Sequence, residues 1–142
     1  SALCFAEAVP EDGRVITLDC DPSIRGIAEK YFSLSPHGRK IEFRLGNALA
    51  LLSGLEGPFD LAYIDADKVN YAAYYDAVFE KIPAGGLIVA DNILWSGRVL
   101  DPKERDKDTG ALRAFARKVS QDKRVEAVLL TVRDGLYVIR KK

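Results

Sequence analysis

Among its 142 residues the chain has no methionine, one histidine, one tryptophan and two cysteines, and its net charge is zero. Cys4 and Cys20 are too few for a disulfide framework and lack metal-ligand spacing. Reduced, buried thiols in a cytoplasmic protein are therefore expected. His37, in a Ser-Pro-His-Gly turn, is expected at the surface rather than on a metal. No apolar run approaches the ~20 residues that span a bilayer, and the opening SALCFAEAVPEDG has no basic region of the signal-peptide kind. Basic and acidic residues balance at 21 each, with no basic stripe for tracking phosphates, so neither a nucleic-acid nor a membrane partner is expected. Arg140-Lys141-Lys142 reads as a solvated tail. Without methionine there is no initiator, and Ser1 stands inside an apparent helix. Processing, trimming or a missing upstream segment would each produce that start.

What is present describes an ordinary globular domain. Hydrophobic residues make up 48% and charged residues 30%, and the length suits one domain, 1–142, with a real core. RVITLD (14–19) is a β-branched run ending in acid. Asp21-Pro22 then opens a helix whose apolar face is Ile24, Ile27, Ala28 and Tyr31. KIEFRLG (40–46) alternates as a strand does, and NALALLSGL (47–55) reads as a short helix. FDLAYIDA (59–66) has the pattern of a strand covered on both faces. Tyr71, Tyr74, Tyr75, Val78 and Ile82 mark a buried helical stripe that ends at Pro83-Ala84-Gly85-Gly86, before the strand LIVADN (87–92). The charged stretch 101–110 reads as an exposed loop, and Leu112, Phe115, Ala116 and Val119 as the next helix. VEAVLLTV and LYVIRK flank Arg133-Asp134-Gly135, a hairpin signal. Strands and helices thus alternate and finish in an antiparallel pair: an α/β, Rossmann-like, mostly parallel sheet.

Two of these strands end in acid, at Asp65 and at Asp91-Asn92. In an open α/β sheet, ligands bind outside the carboxyl ends of the strands. If the two strands are neighbours, Asp65, Asp91 and Asn92 converge as three hard oxygen donors, suited to Mg²⁺, Mn²⁺ or Ca²⁺. Turn chemistry at a strand end is the plainer account of any one of them. Asp67 and Lys68 follow at once. Beside a divalent cation Lys68 would have a lowered pKa and serve as a base; without that context it is a solvated surface lysine. Asp19 suits ribose hydroxyls at the end of a nucleotide-binding strand, and equally suits a turn with Asp21. Trp95 is open between walling a planar ring and anchoring its loop.

The segments RVITLD, KIEFRLGNAL, FDLAYIDADKVNYAAYYD, GGLIVADNILWSGRV and RDGLYVIRKK resemble the cation-dependent, S-adenosylmethionine-dependent O-methyltransferases of the catechol and caffeoyl-coenzyme-A type. The resemblance covers nearly the whole chain, and IDADKxNY with DNxLWSGRV is its most specific part. It implies a class I methyltransferase fold, methyl transfer to a small phenolic acceptor, and a homodimer. It also implies that Asp65, Asp91 and Asn92 ligate the metal and that Asp65 lies near the substrate. By the same resemblance Asp19, Ala48, Asp67 and Ser1 contact the cofactor and Lys68 is the catalytic base. Ser96 falls at a substrate-contacting position but differs in type. The chain departs from the pattern at its front, where members carry a helical segment, a first strand and a Gly-rich loop of which Ser1 would be the last residue. That strand would lie between those ending at Asp19 and Asp65, and without it cofactor binding is expected to be weak. A fragment of a longer enzyme, a strand recruited from a partner and a rearranged sheet are the three accounts. Two other functional classes stand beside this one: a nicotinamide-dependent oxidoreductase, and an inactive domain kept for protein association.

Overall fold

The computed structural model describes every residue, Ser1–Lys142, as two compact units, 1–55 and 56–142. In the first, helix α1 (Ala2–Ala8) precedes strand β1 (Val15–Asp19), helix α2 (Arg25–Leu34), strand β2 (Ile41–Leu45) and helix α3 (Ala48–Ser53). β1 and β2 are parallel, in register from Val15 opposite Ile41 to Asp19 opposite Leu45. The Asp21 carboxylate accepts from Ser23 N at 2.8 Å, and Pro22 opens the 3-10 turn Pro22–Ile24 that leads into α2. The expected apolar face of α2 is only partly used. Ile24 and Ala28 are half-buried, whereas Ile27 and Tyr31 are 61% and 55% exposed. The half-buried line is Ile24, Ala28 and Phe32, spaced by four, so the apolar stripe is wider than the surface it covers. Both cysteines are free and exposed, contrary to expectation, because Cys4 is on the outward side of α1 and Cys20 follows the end of β1.

The second unit holds strands β3 (Leu61–Ile64) and β4 (Leu87–Ala90), connected by helix α4 (Tyr71–Phe79). Helix α5 (Lys107–Gln121) and the hairpin strands β5 (Val125–Leu130) and β6 (Leu136–Lys141) follow. The sheet order is β3-β4-β6-β5, with β3 and β4 parallel and β6 antiparallel to both its neighbours. β1 and β3 therefore each have a strand partner on one side only. Tyr71, Tyr75, Ile82, Leu112, Phe115 and Val119 are all but fully buried, as the helical stripes required, and so is Ile139 of β6. Phe115 meets the rings of Tyr71, Tyr75 and Tyr137 edge-on at centroid distances of 5.7, 6.1 and 6.2 Å.

Three expectations fail in this unit. β3 is not covered on both faces, since only Ile64 is buried and Leu61 is 40% exposed. The exposed loop ends earlier than 110, because Asp106 accepts from Thr109 N at 3.0 Å and starts α5 at Lys107. Arg140 and Lys141 are no solvated tail but the end of β6. Lys141 Nζ donates to Phe79 O and Ile82 O at 2.9 and 2.8 Å, satisfying carbonyls at the end of α4. No helix is long and apolar enough to cross a membrane.

Asp122 joins α4 to the start of the hairpin. It accepts from the Tyr75 hydroxyl at 2.9 Å and from Arg124 Nε and Nη2 at 2.9 and 2.7 Å. The Arg124 guanidinium, helped by the Arg124 N–H and the Tyr75 hydroxyl, holds the Asp122 carboxyl well below the usual carboxylate range. A depressed folded-state pKa contributes stability that is complete above the unfolded value of about 3.9 and is lost as pH falls toward the folded value. Asp122→Asn is expected to flatten the acid limb of a stability–pH curve below about pH 4 while leaving its neutral-to-alkaline slope unchanged. Identical acid limbs in denaturant titrations of the two proteins would discard this assignment.

Candidate active site

β3 and β4 are adjacent, with Ile64 opposite Ala90 and Asp91 N donating to Ile64 O at 3.0 Å. Asp65 and Asp91 therefore leave the same end of neighbouring parallel strands, as the acid-tipped pattern required. Asn92 is in the left-handed region, at φ 56°, and its N–H donates to Asp91 Oδ1 at 2.6 Å. Asn tolerates that conformation better than most residues. The other Asp91 oxygen accepts from the Tyr63 hydroxyl. Burial, with Asp91 beside it, pushes the Tyr63 hydroxyl well above its ordinary range, so it remains a proton donor to the carboxylate.

Lys68 sits at the centre of the group. Only 8% of its side chain is exposed, which overturns the solvated-surface reading. Residues 68–70 form a 3-10 turn, Lys68–Asn70, that carries the amine inward onto α4. Nζ lies 2.6 Å from the Tyr71 hydroxyl, 3.1 Å from Ala66 O, 3.2 Å from Asn92 Oδ1 and 3.5 Å from Asp65 Oδ1. The Tyr71 hydroxyl in turn donates to Asp91 O at 2.9 Å. Burial, with Asp65 and Asp91 nearby, pushes that hydroxyl far up, so it keeps its proton. Trp95 adds a ring whose centroid is 5.5 Å from Lys68 Nζ.

Asp67 is exposed, yet both its carboxylate oxygens are engaged, one accepting from the Tyr74 hydroxyl at 2.5 Å and the other from Asn70 Nδ2. This arrangement fastens the 65–70 turn to α4. Ser1, Asp19 and Ala48 belong to the unit of residues 1–55. Asp19 closes β1 and accepts from Asp21 N at 2.8 Å, so the turn with Asp21 exists. Its carbonyl also accepts from Gly46 N at 2.8 Å, which places Ala48, the first residue of α3, at the same strand ends. Asn47 caps α3 by accepting from Ala50 N at 3.1 Å. Ser1 is the exposed N-cap of α1.

The residues that pattern reading missed are Tyr63 and Tyr71. Alternation and helical spacing mark both as core positions and say nothing of their hydroxyls. Trp95 and Ser96 also carry strain that no spacing reveals, with φ of 49° and 55°. Such conformations cost on the order of 1–3 kcal/mol each and cluster at functional sites.

No group of three or more His, Cys, Asp or Glu side chains is placed to hold a metal ion. The cation-binding candidates are two carboxylates and a carboxamide, all hard oxygen donors that suit Mg²⁺, Mn²⁺ or Ca²⁺. Two of these oxygens already attract one cationic group, the Lys68 amine. The set therefore fits a divalent ion in chemistry.

A family model described as O-methyltransferase matches residues 1–142, both units together. Tricin synthase 2 of rice (Oryza sativa subsp. japonica) is 36% identical over 153 residues, covering 99% of this chain and 52% of that protein. The catechol O-methyltransferase domain-containing protein 1 of mouse (Mus musculus) is 36% identical over 146 residues, covering 99% and 56%. The chain thus spans about half the length of these curated relatives. Among solved structures, an O-methyltransferase from Bacillus cereus in complex with SAH superposes with a TM-score of 0.90 at 29% identity, covering 99% of this chain and 68% of that one.

Proposed function

We propose, for a chain that belongs to the O-methyltransferase family, that it transfers a methyl group from S-adenosylmethionine to one hydroxyl of a small catechol-like acceptor. The reaction depends on a divalent cation, held by Asp65, Asp91 and Asn92. The observation that carries this reading is the buried Lys68 amine, placed between Asp65 Oδ1 and Asn92 Oδ1 at the carboxyl ends of two neighbouring strands. Both units contribute to one methyltransferase domain, in keeping with a family match over 1–142.

A catechol is mostly protonated at neutral pH and is then a poor nucleophile. When bound by Asp65, Asp91 and Asn92, a Mg²⁺, Mn²⁺ or Ca²⁺ ion would supply charge to stabilise the phenolate and a means of orienting it. Lys68 Nζ is the proposed acceptor of the phenol proton. Tyr71 holds that amine in place by its 2.6 Å hydrogen bond, and Tyr63 orients Asp91. Asp65 faces the acceptor, with 51% of its side chain exposed. Bound S-adenosylmethionine would supply the methyl group, its carbon–sulfur bond breaking as the acceptor oxygen–carbon bond forms and sulfur leaving neutral. The protein's share of that step is alignment, which supplies up to ~7–11 kcal/mol. On the cofactor side, Asp19 would accept from ribose hydroxyls, Ala48 would lie beside the adenine, and Ser1 and Asp67 would complete the contacts. Trp95 walls the acceptor ring.

The test is transfer of labelled methyl to catechol with Mg²⁺ and with chelator. Turnover that chelator abolishes is expected. Turnover indifferent to chelator would remove the cation from the reaction. Cation binding with no transfer would favour an inactive association domain. Family membership leaves the nicotinamide-dependent oxidoreductase without support.

A homodimer belongs to the same proposal. β5 is an edge strand that exposes Val128, Leu129 and Leu130, with Val132 just beyond, and such edges are templates for pairing. Light scattering that returned the 15.7 kDa of a single chain would end this part. Two free, exposed thiols suit a reducing cytoplasm, which cell fractionation tests.

A further inference from the structure

The strained residues Trp95 and Ser96 belong to a segment that hangs between the proposed cation ligands and α5. Conformations of this kind persist only where the surroundings over-determine them. On one side the hairpin supplies the hold. Asp134 O accepts from Leu94 N at 2.8 Å, and Asp134 Oδ1 accepts from Ser96 N at 2.5 Å. Gly135 makes this approach possible, since its φ is 84° and an added Cβ would lie 2.7 Å from Leu94 Cγ.

On the other side stands one residue, Arg113 of α5. Its Nε donates to Val99 O at 2.9 Å, Nη1 to Glu104 O at 3.0 Å, and Nη2 to Arg98 O at 3.1 Å and to Asp101 O. A guanidinium has five N–H donors in a rigid fork, and here four of these hydrogen bonds go to backbone carbonyls of the 98–104 segment. No carboxylate is ion-paired to it, although neighbouring Arg98 pairs with Glu104 and Asp106. A planar fork serving carbonyls that face it from several directions fixes the path of a backbone in a way that a point charge does not.

We propose that Arg113 is a positioning residue for methyl transfer. It holds residues 98–104, and through them keeps Trp95 beside Lys68, setting the wall against which the acceptor ring stops. This rests on the acceptor site proposed above. The consequence is orientation: with the wall in place a substituted catechol presents one of its two hydroxyls, and with the wall loose it presents both.

The experiment compares Arg113→Gln and Arg113→Lys with the parent chain, using Lys118→Ala as a control on the same helix, where the Lys118–Asp76 pair is exposed. Two readouts are taken on variants whose circular dichroism and melting match the parent. The first needs no activity: Trp95 is the only tryptophan, so acrylamide quenching of its emission reports its shelter directly. The second is methyl transfer to 3,4-dihydroxybenzoate, resolving the two monomethyl products. Arg113→Gln is expected to raise quenching several-fold and to bring the product ratio toward unity. It is also expected to lower kcat/KM by about 10–100-fold, mostly through KM, as for a misplacement imposed from outside the reacting groups. Arg113→Lys, with fewer donors and no fork, is expected to fall between, and Lys118→Ala to match the parent. A folded Arg113→Gln with parental quenching and parental product ratio overturns the proposal. If the parent chain itself does not methylate, the acceptor reading fails on that result, while the quenching comparison alone upholds or overturns the hold of Arg113 on Trp95.

Discussion

Lys68→Met is expected to lower methyl transfer to a catechol by roughly 10²–10⁴-fold, the range supplied by a positioned acid–base group. Methionine fills the same buried volume without a charge or a donor. The substitution is also expected to tighten divalent-cation binding. It removes a cationic group lying 3.5 Å from Asp65 Oδ1 and 3.2 Å from Asn92 Oδ1, where a second cation is disfavoured. The two effects run in opposite directions, which separates them from simple damage to the fold. Single-turnover rates and a calorimetric Mg²⁺ titration measure them. Parental turnover in a folded Lys68→Met protein would strip Lys68 of its proposed proton role. Weaker Mg²⁺ binding would mean that the amine supports the cation site instead of competing with it.

Phe115→Ala carries the largest expected cost in stability. Phe115 is fully buried and packs edge-on against Tyr71, Tyr75 and Tyr137. Removing such a ring costs about 3–5 kcal/mol, the transfer term plus the cavity left behind. Against a total of about 5–15 kcal/mol for a typical native protein, that leaves the variant close to its folding threshold. The cavity also borders Tyr71, whose hydroxyl anchors Lys68, so activity is expected to fall before the fold is lost. Urea titration measures the first effect and labelled transfer at partial denaturation the second. A loss below about 1 kcal/mol, the size of an average substitution, would mean that the three tyrosines close around the gap.

Much of the frame was readable one element at a time. Both acids end parallel neighbouring strands, the Asp-Gly hairpin forms, and the stripes of α4 and α5 are buried, because each depends on a local period of two or 3.6. Where reading failed, the cause was a partner distant in the chain. Lys141 looked like a tail because the carbonyls of Phe79 and Ile82 that it serves are remote in sequence. Ile27 and Tyr31 looked like core because a helical stripe marks a greasy face without saying how much surface exists to cover it. Cys4 and Cys20 were assigned to the interior on residue type alone, and neither lies on an inward side.

By itself, then, the sequence determined the α/β alternation, the paired acids at Asp65 and Asp91-Asn92, and membership of the O-methyltransferase family. All of these are properties of residue type and spacing. Only the tertiary structure decided that Lys68 is buried between Asp65 and Asn92, that Tyr63 and Tyr71 spend their hydroxyls on the site, and that Arg113 holds the backbone beyond Trp95. These are hydrogen bonds that join distant parts of the chain. Burial makes an unmatched donor or acceptor costly, so which groups must pair is settled only when folding brings those segments together.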